Sequence, residues 1–388
     1  MKKLFKFKNF KSKNEKENLI DNVEFSIHKF NNRPKPKNKK RILIIGCFSE
    51  FGCEIIGSMY CIPRLLQKNP GDYIIAVGWY GRSYLYKHLV DEFWELKEEY
   101  QYLRDKAVAF GFMGKNLYKL EKKLNNFGKV FPTSHMGNIA VANYCQKCHW
   151  YGASWTWIPA CPKCKEEDLF SHSLFSEASM AKRTAIQIPK PSKEKLEWAK
   201  NIVGKNPVGI FARGRKTYGR NLDKEFYIDL IKSLQEKGYD PIWLGEKQSV
   251  QPCPVEGVVD FSRMKESRDL EKTLAIISHC KFTVQFWTAS TRLAGIMGIP
   301  WILFETPDQI YGVGQEGVRQ KLTTFGDKKI VLCDFKNVKD DPKKAIELFK
   351  RSVEEVEDGN FKDVIGMVNN DLTAKALRQE DRFNLIEE

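Results

Sequence analysis

Short apolar runs bounded by glycine, proline or polar turns recur between residues 41 and 333. The clearest series lies in residues 260–308. There Leu270, Leu274 and Ile277 share one helical face, which His279 and Cys280 close. Residues 281–286 are a short β-rich run. Residues 288–297 predict a second helix, opening on small hydroxyl residues suited to N-capping and ended by Gly298. Pro300 then leads into an apolar run over 301–304. Two short apolar strands separated by a helix predict a parallel βαβ unit. Ligands of such sheets bind beyond the strand carboxyl ends, here 285–290 and 305–308. The backbone N–H groups of Thr288, Ala289, Ser290 and Thr291 would open that helix with a positive end suited to phosphate, with Arg292 beside them. Glu305 ends the next strand as an acceptor for ribose or sugar hydroxyls.

The same punctuation predicts other elements on both sides. In the first half these are a buried strand at 41–47, a turn at 48–52, a helix at 53–67 carrying Pro63, and a strand at 73–79 with Gly78 and Gly81 around its turn. Residues 84–124, where aromatic and charged residues mix, read as mostly helical, and 129–131 as a strand. In the second half they are a helix over 192–202 capped by Ser192, a strand over 207–212, an amphipathic helix over 226–236 stopped by Gly238, a strand over 240–244, a strand over 329–333 and a helix over 345–356. The predicted fold class is α/β with two Rossmann-like lobes. The dinucleotide fingerprint G-x-G-x-x-G is absent from the first βαβ.

Candidate chemistry falls at the ends of these strands. After 207–212 the chain reads R-G-R-K-T-Y-G-R-N, so Arg213, Arg215, Lys216 and Arg220 follow one strand end. Guanidinium forks there suit a pyrophosphate, and a solvated basic loop is the bland alternative. Gly245 and Glu246 follow the strand at 240–244. In the first half, Glu50 and Glu54 flank Gly52 at a strand end entering a helix. A carboxylate in that position either serves as a general base or only caps the helix. His135 lies in a loop-like P-T-S-H-M-G-N stretch and is a third candidate.

The most specific motif is Cys145-x-x-Cys148, then twelve residues, then Cys161-x-x-Cys164. Thiolates at i and i+3 from two knuckles converge on one tetrahedral ion, which is the zinc-ribbon pattern. Four thiolates leave no open coordination position, so the expected cofactor is structural zinc, with iron at a rubredoxin-like site as the alternative. His149 is a spare ligand. The other six cysteines sit in or near apolar segments without a spacing pattern and read as buried thiols of a reducing, cytoplasmic setting.

Charge changes the picture only at the amino end. The chain of 388 residues carries a net charge of +15, but residues 1–41 hold 14 Lys/Arg against 4 Asp/Glu. The tail alternates Lys with Phe, lacks the apolar core of a signal peptide, and ends in N-N-R-P-K-P-K-N-K-K, which reads as a linker. It is expected to be solvated, or to touch an anionic membrane surface or nucleic acid. No apolar run reaches the length of a membrane span.

The stretch Trp287-Thr288-Ala289-Ser290, Leu293-Ala294, Gly298, Pro300 resembles the nucleotide-sugar half of GT-B glycosyltransferases, most closely the heptosyltransferase-like and fucosyltransferase-like branches. Gly52, Glu54 and Pro63 resemble the acid-bearing helix start of the same group, and basic residues such as those at 213–220 occur there at the matching strand end. The family's Asp, Gly and His near the second-half turn are replaced by Trp287, Ala289 and Arg292. The resemblance covers roughly residues 40–335. It implies a basic tail at 1–40, an acceptor lobe at 41–190 with the zinc ribbon inserted at 143–166, a nucleotide-sugar lobe at 191–335, and helices at 336–388 that pack back on the first lobe. It further implies transfer of a hexosyl- or heptosyl-type sugar from a nucleotide-sugar donor to a glycan or other hydroxyl acceptor. No Asp-x-Asp motif occurs, which suits a metal-independent mechanism, and the spaced Glu pair of retaining GT-B enzymes is not evident, so inversion is expected. Two alternatives remain: a nucleic-acid-binding zinc-ribbon protein, and a sugar transferase acting on modified DNA.

Overall fold

A computed structural model describes residues 23–48, 62, 71–100, 120–131, 141–144, 147–148, 151–154, 160–161, 163–166, 170–173, 188–214, 221–247, 249–286, 291–305, 329–334 and 341–361. The apolar runs become strands that are buried on both faces. In the first lobe these are β2 (Ile42–Cys47), β3 (Tyr73–Gly78) and β4 (Glu92–Leu96), every residue buried, with β5 (Lys129–Phe131) beside β2. They pair in parallel. β1 (Phe25–Lys29) adds an antiparallel edge on β4, giving the order β1-β4-β3-β2-β5.

The second lobe is a fully parallel sheet of six strands in the order β11-β10-β9-β12-β13-β14. In chain order they are β9 (Pro207–Phe211), β10 (Asp240–Trp243), β11 (Val259–Asp260), β12 (Phe282–Phe286), β13 (Trp301–Glu305) and β14 (Ile330–Asp334). Continuous apolar runs are what a parallel sheet with both faces covered requires. Val284 lies level with Ile210 on one side and Ile302 on the other, and all three are buried.

Helices supply the cover. Between β3 and β4 lies the short α1 (Ser83–Tyr86). In the second lobe, α2 (Lys193–Lys200) starts at Ser192, whose hydroxyl accepts the Lys195 N–H at 3.4 Å. α3 (Lys224–Glu236) turns Phe226, Tyr227, Leu230, Ile231 and Leu234 inward. α4 (Leu270–His279) is capped by Asp269 and buries Leu274 and Ile277, as the periodicity predicts. α5 (Thr291–Ile296) and α6 (Pro342–Glu357) follow, and α6 packs Ala345, Phe349 and Val353 into the core of the second lobe. A separate antiparallel sheet, β7-β6-β8, is formed by β6 (Val141–Tyr144), β7 (Tyr151–Ser154) and β8 (Phe170–Ser173) around the cysteine motif.

One expectation is revised within residues 84–124: residues 92–96 form strand β4 and not helix, while 101–119 lie outside the described residues. Glu92 and Glu95 look like the solvated face of a helix, yet both are buried. Their charge is met within the lobe. Glu92 accepts Tyr73 OH at 2.9 Å, Trp94 Nε1 at 2.7 Å and Lys35 Nζ at 3.2 Å. Residues 25–29, in the basic amino-terminal segment and ahead of its 31–40 linker, form strand β1. Several cations that follow it face the sheet. Arg33 pairs with Asp91 at 3.6 Å, and Arg41 pairs with Asp72 at 3.3 Å.

Burial pushes the Glu92 carboxyl up, but its hydrogen bonds from Trp94, Tyr73 and Lys35 win and hold it below its ordinary 4.5. A carboxylate lowered on folding contributes stability that is complete above its unfolded value. That contribution is lost as pH falls through the folded one. Glu92→Gln should therefore lower stability near neutral pH by about 1.5–3 kcal/mol. Below pH 4.5 the gap between variant and parent should narrow, as read by denaturant unfolding at several pH values. An equal gap at every pH would refute this account of Glu92.

Candidate active-site cleft and cysteine cluster

The carboxyl ends of the two sheets approach each other. β3 runs into Trp79, Tyr80, Gly81 and Arg82, and Gly81 has φ +76°. A Cβ on Gly81 would lie 2.9 Å from the Arg268 carbonyl of the second lobe, so only glycine fits this contact. Glu98, just past β4, pairs with Arg268 at 2.5 Å. Arg82 reaches Glu246, which follows β10, at 3.6 Å. Tyr84 OH donates to the Lys190 carbonyl at 2.6 Å, which pins the connection between the lobes.

On the second-lobe side, strand ends and loops are stitched together. Gly245 has φ +120°, and a Cβ there would sit 2.4 Å from Val250 Cγ1. The carbonyl of Glu246 accepts Ser249 N–H at 2.7 Å and Val250 N–H at 3.2 Å. Gln251 N–H donates to the Ala212 carbonyl at 3.1 Å, and Gly214 N–H donates to the Ser249 carbonyl at 2.9 Å. Arg213 stands at the end of β9, 7% exposed, with its carbonyl accepting Gln251 Nε2 at 3.0 Å. Its guanidinium charge is felt at Tyr227, where burial pushes the phenol up and Arg213 opposes it.

Arg213, Gly245 and Glu246 are thus brought to one set of neighbouring strand ends. The backbones of Thr291 and Arg292 begin α5, and that of Glu305 ends β13, at the same edge of the sheet. Arg215, Lys216, Arg220, Thr288, Ala289 and Ser290 lie outside the described residues, as do Glu50, Glu54 and His135 in the first lobe. Arg82 was not singled out from the sequence. The signal was an arginine directly after a glycine at a strand's carboxyl end, but its partner lies 164 positions away in the other lobe.

Three of the four motif cysteines come together. The sulfurs of Cys148, Cys161 and Cys164 all lie within 4.8 Å of one another, and Cys148 Sγ is 3.5 Å from Cys161 Sγ. Cys145 lies outside the described residues. Lys165, with φ 64°, donates its N–H to the Cys161 carbonyl at 2.9 Å, and Cys161 N–H donates to the Glu166 carbonyl at 2.7 Å. The two knuckles are tied by Lys147 and Glu166, 3.1 Å apart. Burial pushes the Cys161 thiol up, while backbone N–H groups of Cys164 and Lys163 and the neighbouring thiols pull it down to about 6. Converging sulfurs, one of them favoured as thiolate, fit a soft divalent ion.

No protein-family model matches the sequence, and a search of curated proteins finds no match. Among solved structures, a glycosyl transferase family 9 protein from Veillonella parvula is similar with a TM-score of 0.51 at 11% identity, over 84% of this chain and 98% of that one. The ADP-heptose LPS heptosyltransferase II of E. coli gives 0.49 at 14% identity, over 81% and 99%. The first likeness is one of fold, and it agrees with the two parallel sheets: the architecture is the GT-B arrangement of two Rossmann-like lobes. Among the described residues no helix is long and apolar enough to cross a membrane.

The cysteine geometry leads to one expected outcome. Purified protein should hold about one metal ion per chain, and Cys161→Ser should lose it and melt at lower temperature. Elemental analysis of both proteins alongside thermal unfolding checks this. A metal-free parent as stable as the loaded one would contradict it.

Proposed function

We propose that the protein is a glycosyltransferase that moves a hexosyl- or heptosyl-type sugar from a nucleotide-sugar donor to a glycan or other hydroxyl acceptor. The observation that carries this reading is the meeting of the two lobes' strand carboxyl ends, where Arg82 reaches Glu246 and Arg213 follows the neighbouring strand β9. Doubly wound sheets bind nucleotides at such ends. The donor pyrophosphate would lie against the second lobe, held by Arg213 with Arg215, Lys216 and Arg220, and by the backbone N–H groups over Thr288–Thr291. Glu246 and Glu305 would take ribose or sugar hydroxyls.

In this mechanism the acceptor hydroxyl attacks the anomeric carbon, and the bond to the diphosphate breaks. Glu54 takes the hydroxyl proton, with Glu50 and then His135 as the other candidates. Charge on the departing diphosphate is met by the arginines and the helix amino end. This scheme inverts the anomeric centre and asks for no catalytic metal. The cysteine site is given a structural role with zinc, and its small sheet braces the acceptor lobe. The setting we propose is cytoplasmic.

The cations at 33–41 bear on the nucleic-acid alternative. Arg33, Lys35, Lys39 and Arg41 engage Asp91, Glu92, the Asn126 carbonyl and Asp72, so this part of the basic segment serves the first lobe itself. A nucleic-acid interface would instead present its cations along one open face.

Two measurements test the reading. Calorimetry with ADP, GDP and UDP should show binding of at least one. Arg213→Ala should weaken it by about 1.5–3 kcal/mol, the worth of a charged hydrogen bond. Unchanged affinity would remove Arg213 from the donor site. Glu54→Gln should keep donor affinity and lose about 10²–10⁴ in transfer rate. If Glu50→Gln is the inactive variant instead, the base is Glu50.

A further inference from the structure

β1 is the outer strand of the first-lobe sheet, and β4 occupies only one of its two edges. The Phe30 N–H donates to the Asp91 carbonyl at 3.0 Å, so 30 and 91 form a hydrogen-bonded pair of the antiparallel ladder. Such pairs alternate along a ladder, and this one runs in register from Lys29↔Glu92 to Phe25↔Leu96. His28 and Ser26 therefore turn their N–H and C=O groups toward β4. Phe25, Ile27 and Lys29 turn theirs outward. Among the described residues no strand pairs with that outward edge.

The side chains of those outward-bonding residues share one face of the sheet. Ile27 stands opposite Trp94 in a non-hydrogen-bonded pair, the kind in which side chains approach most closely. Trp94 is buried, with the Phe25 ring 6.0 Å away and Phe127 meeting it edge-on at 5.4 Å. Among the described residues the two most exposed large apolar side chains are Ile27 at 56% and Phe127 at 47%, and both border this indole. Strand edges that stay unpaired are blunted by charge, proline or a bulge. β1 has one lysine, at its last position, and neither a proline nor a break in register.

The strand fits a second copy of itself. Antiparallel strands bond only where outward-facing residues of one meet outward-facing residues of the other. A two-fold axis at Ile27 achieves this along the whole of β1. Ile27 then faces the partner's Ile27, and Phe25 faces the partner's Lys29. On the opposite face Ser26 meets the partner's His28, with Glu24 diagonal to it. No cation stands directly against a cation. Moving the axis to His28 would set that residue against itself, and moving it to Ser26 would leave Lys29 outside the paired strands. Either shift also shortens the ladder.

We propose that β1 is a dimerisation strand: two copies of the chain join their first-lobe sheets edge to edge about a two-fold axis at Ile27. The two five-stranded sheets become one, with an apolar row running Trp94, Ile27 and their two counterparts across the axis. This contact does not depend on the glycosyltransferase reading. It is made by one short strand per copy, so the dimer forms in a concentration-dependent way.

Sedimentation of the full chain over a concentration series should show the mass of one chain passing to that of two. Ile27→Lys sets like charges against each other on the axis, as does Ile27→Glu. Each alone should stay monomeric at concentrations where the parent is dimeric. An equimolar mixture of the two should dimerise again, because a contact of position 27 with itself then joins opposite charges. Thermal unfolding shows that each variant is folded. If either is not, Ile27→Thr keeps a β-branched residue and should raise the dimer dissociation constant by about tenfold. A parent that is monomeric throughout the series overturns the proposal. So does a dimer that survives in both charged variants, which would place the interface elsewhere. A mixture that stays monomeric removes the axis at Ile27.

Discussion

Three carboxylates enter the interior of the first lobe on or beside one strand, and the lobe is arranged around satisfying them. Asp91 accepts the Ile74 N–H at 2.7 Å and Asn31 Nδ2 at 2.9 Å. Glu92 takes a phenol, an indole and an ammonium. Glu95 takes the two N–H groups of the Arg82 turn. An unpaired buried charge costs several kcal/mol, so removing the partners of any one would strain the whole lobe. The basic segment at 31–41 has the composition of a solvated tail, but two of its cations, Arg33 and Lys35, offset this acid. The same demand reaches the cleft, because the turn fixed by Glu95 is the one that sends Arg82 to Glu246.

Apart from the two-residue β11, the second lobe was legible in the sequence to within about three residues per element, for a physical reason. A parallel sheet covered on both faces leaves few polar positions inside its strands, Thr283 and Gln285 of β12 being buried exceptions. Runs such as 207–211 and 301–305 therefore appear as unbroken apolar segments with glycine or proline at the borders. The cysteine knuckles were legible because metal geometry dictates spacing whatever surrounds it. β4 was not legible. E-F-W-E-L mixes charge and aromatics, and its burial depends on Lys35, Tyr73 and His28, which are distant in sequence.

The candidate site divides along the same line. Residues at strand ends, Arg213 and Glu246 among them, could be picked out because a strand end is a local event in the chain. Arg82 could not, since its meaning comes from a partner in the other lobe. Single-sequence reading finds what one lobe presents. It is blind to what two lobes make between them, and in a two-lobed fold the chemistry lies between them.

The chain order of the first sheet also shapes how the protein is made. β1 through β5 are all encoded between residues 25 and 131, before any strand of the second sheet. Phe25 pairs with Leu96, so the edge strand waits on the ribosome for a partner some seventy residues behind it. Once β4 emerges, its acids find every donor described above within the nascent segment, and the sheet closes without the second lobe. Among the described residues, Arg82, Tyr84 and Glu98 are left facing partners yet to be translated: Glu246, the Lys190 carbonyl and Arg268. Assembly of the cleft is thus the late event in synthesis, because each of these contacts needs a residue from the part of the chain made last.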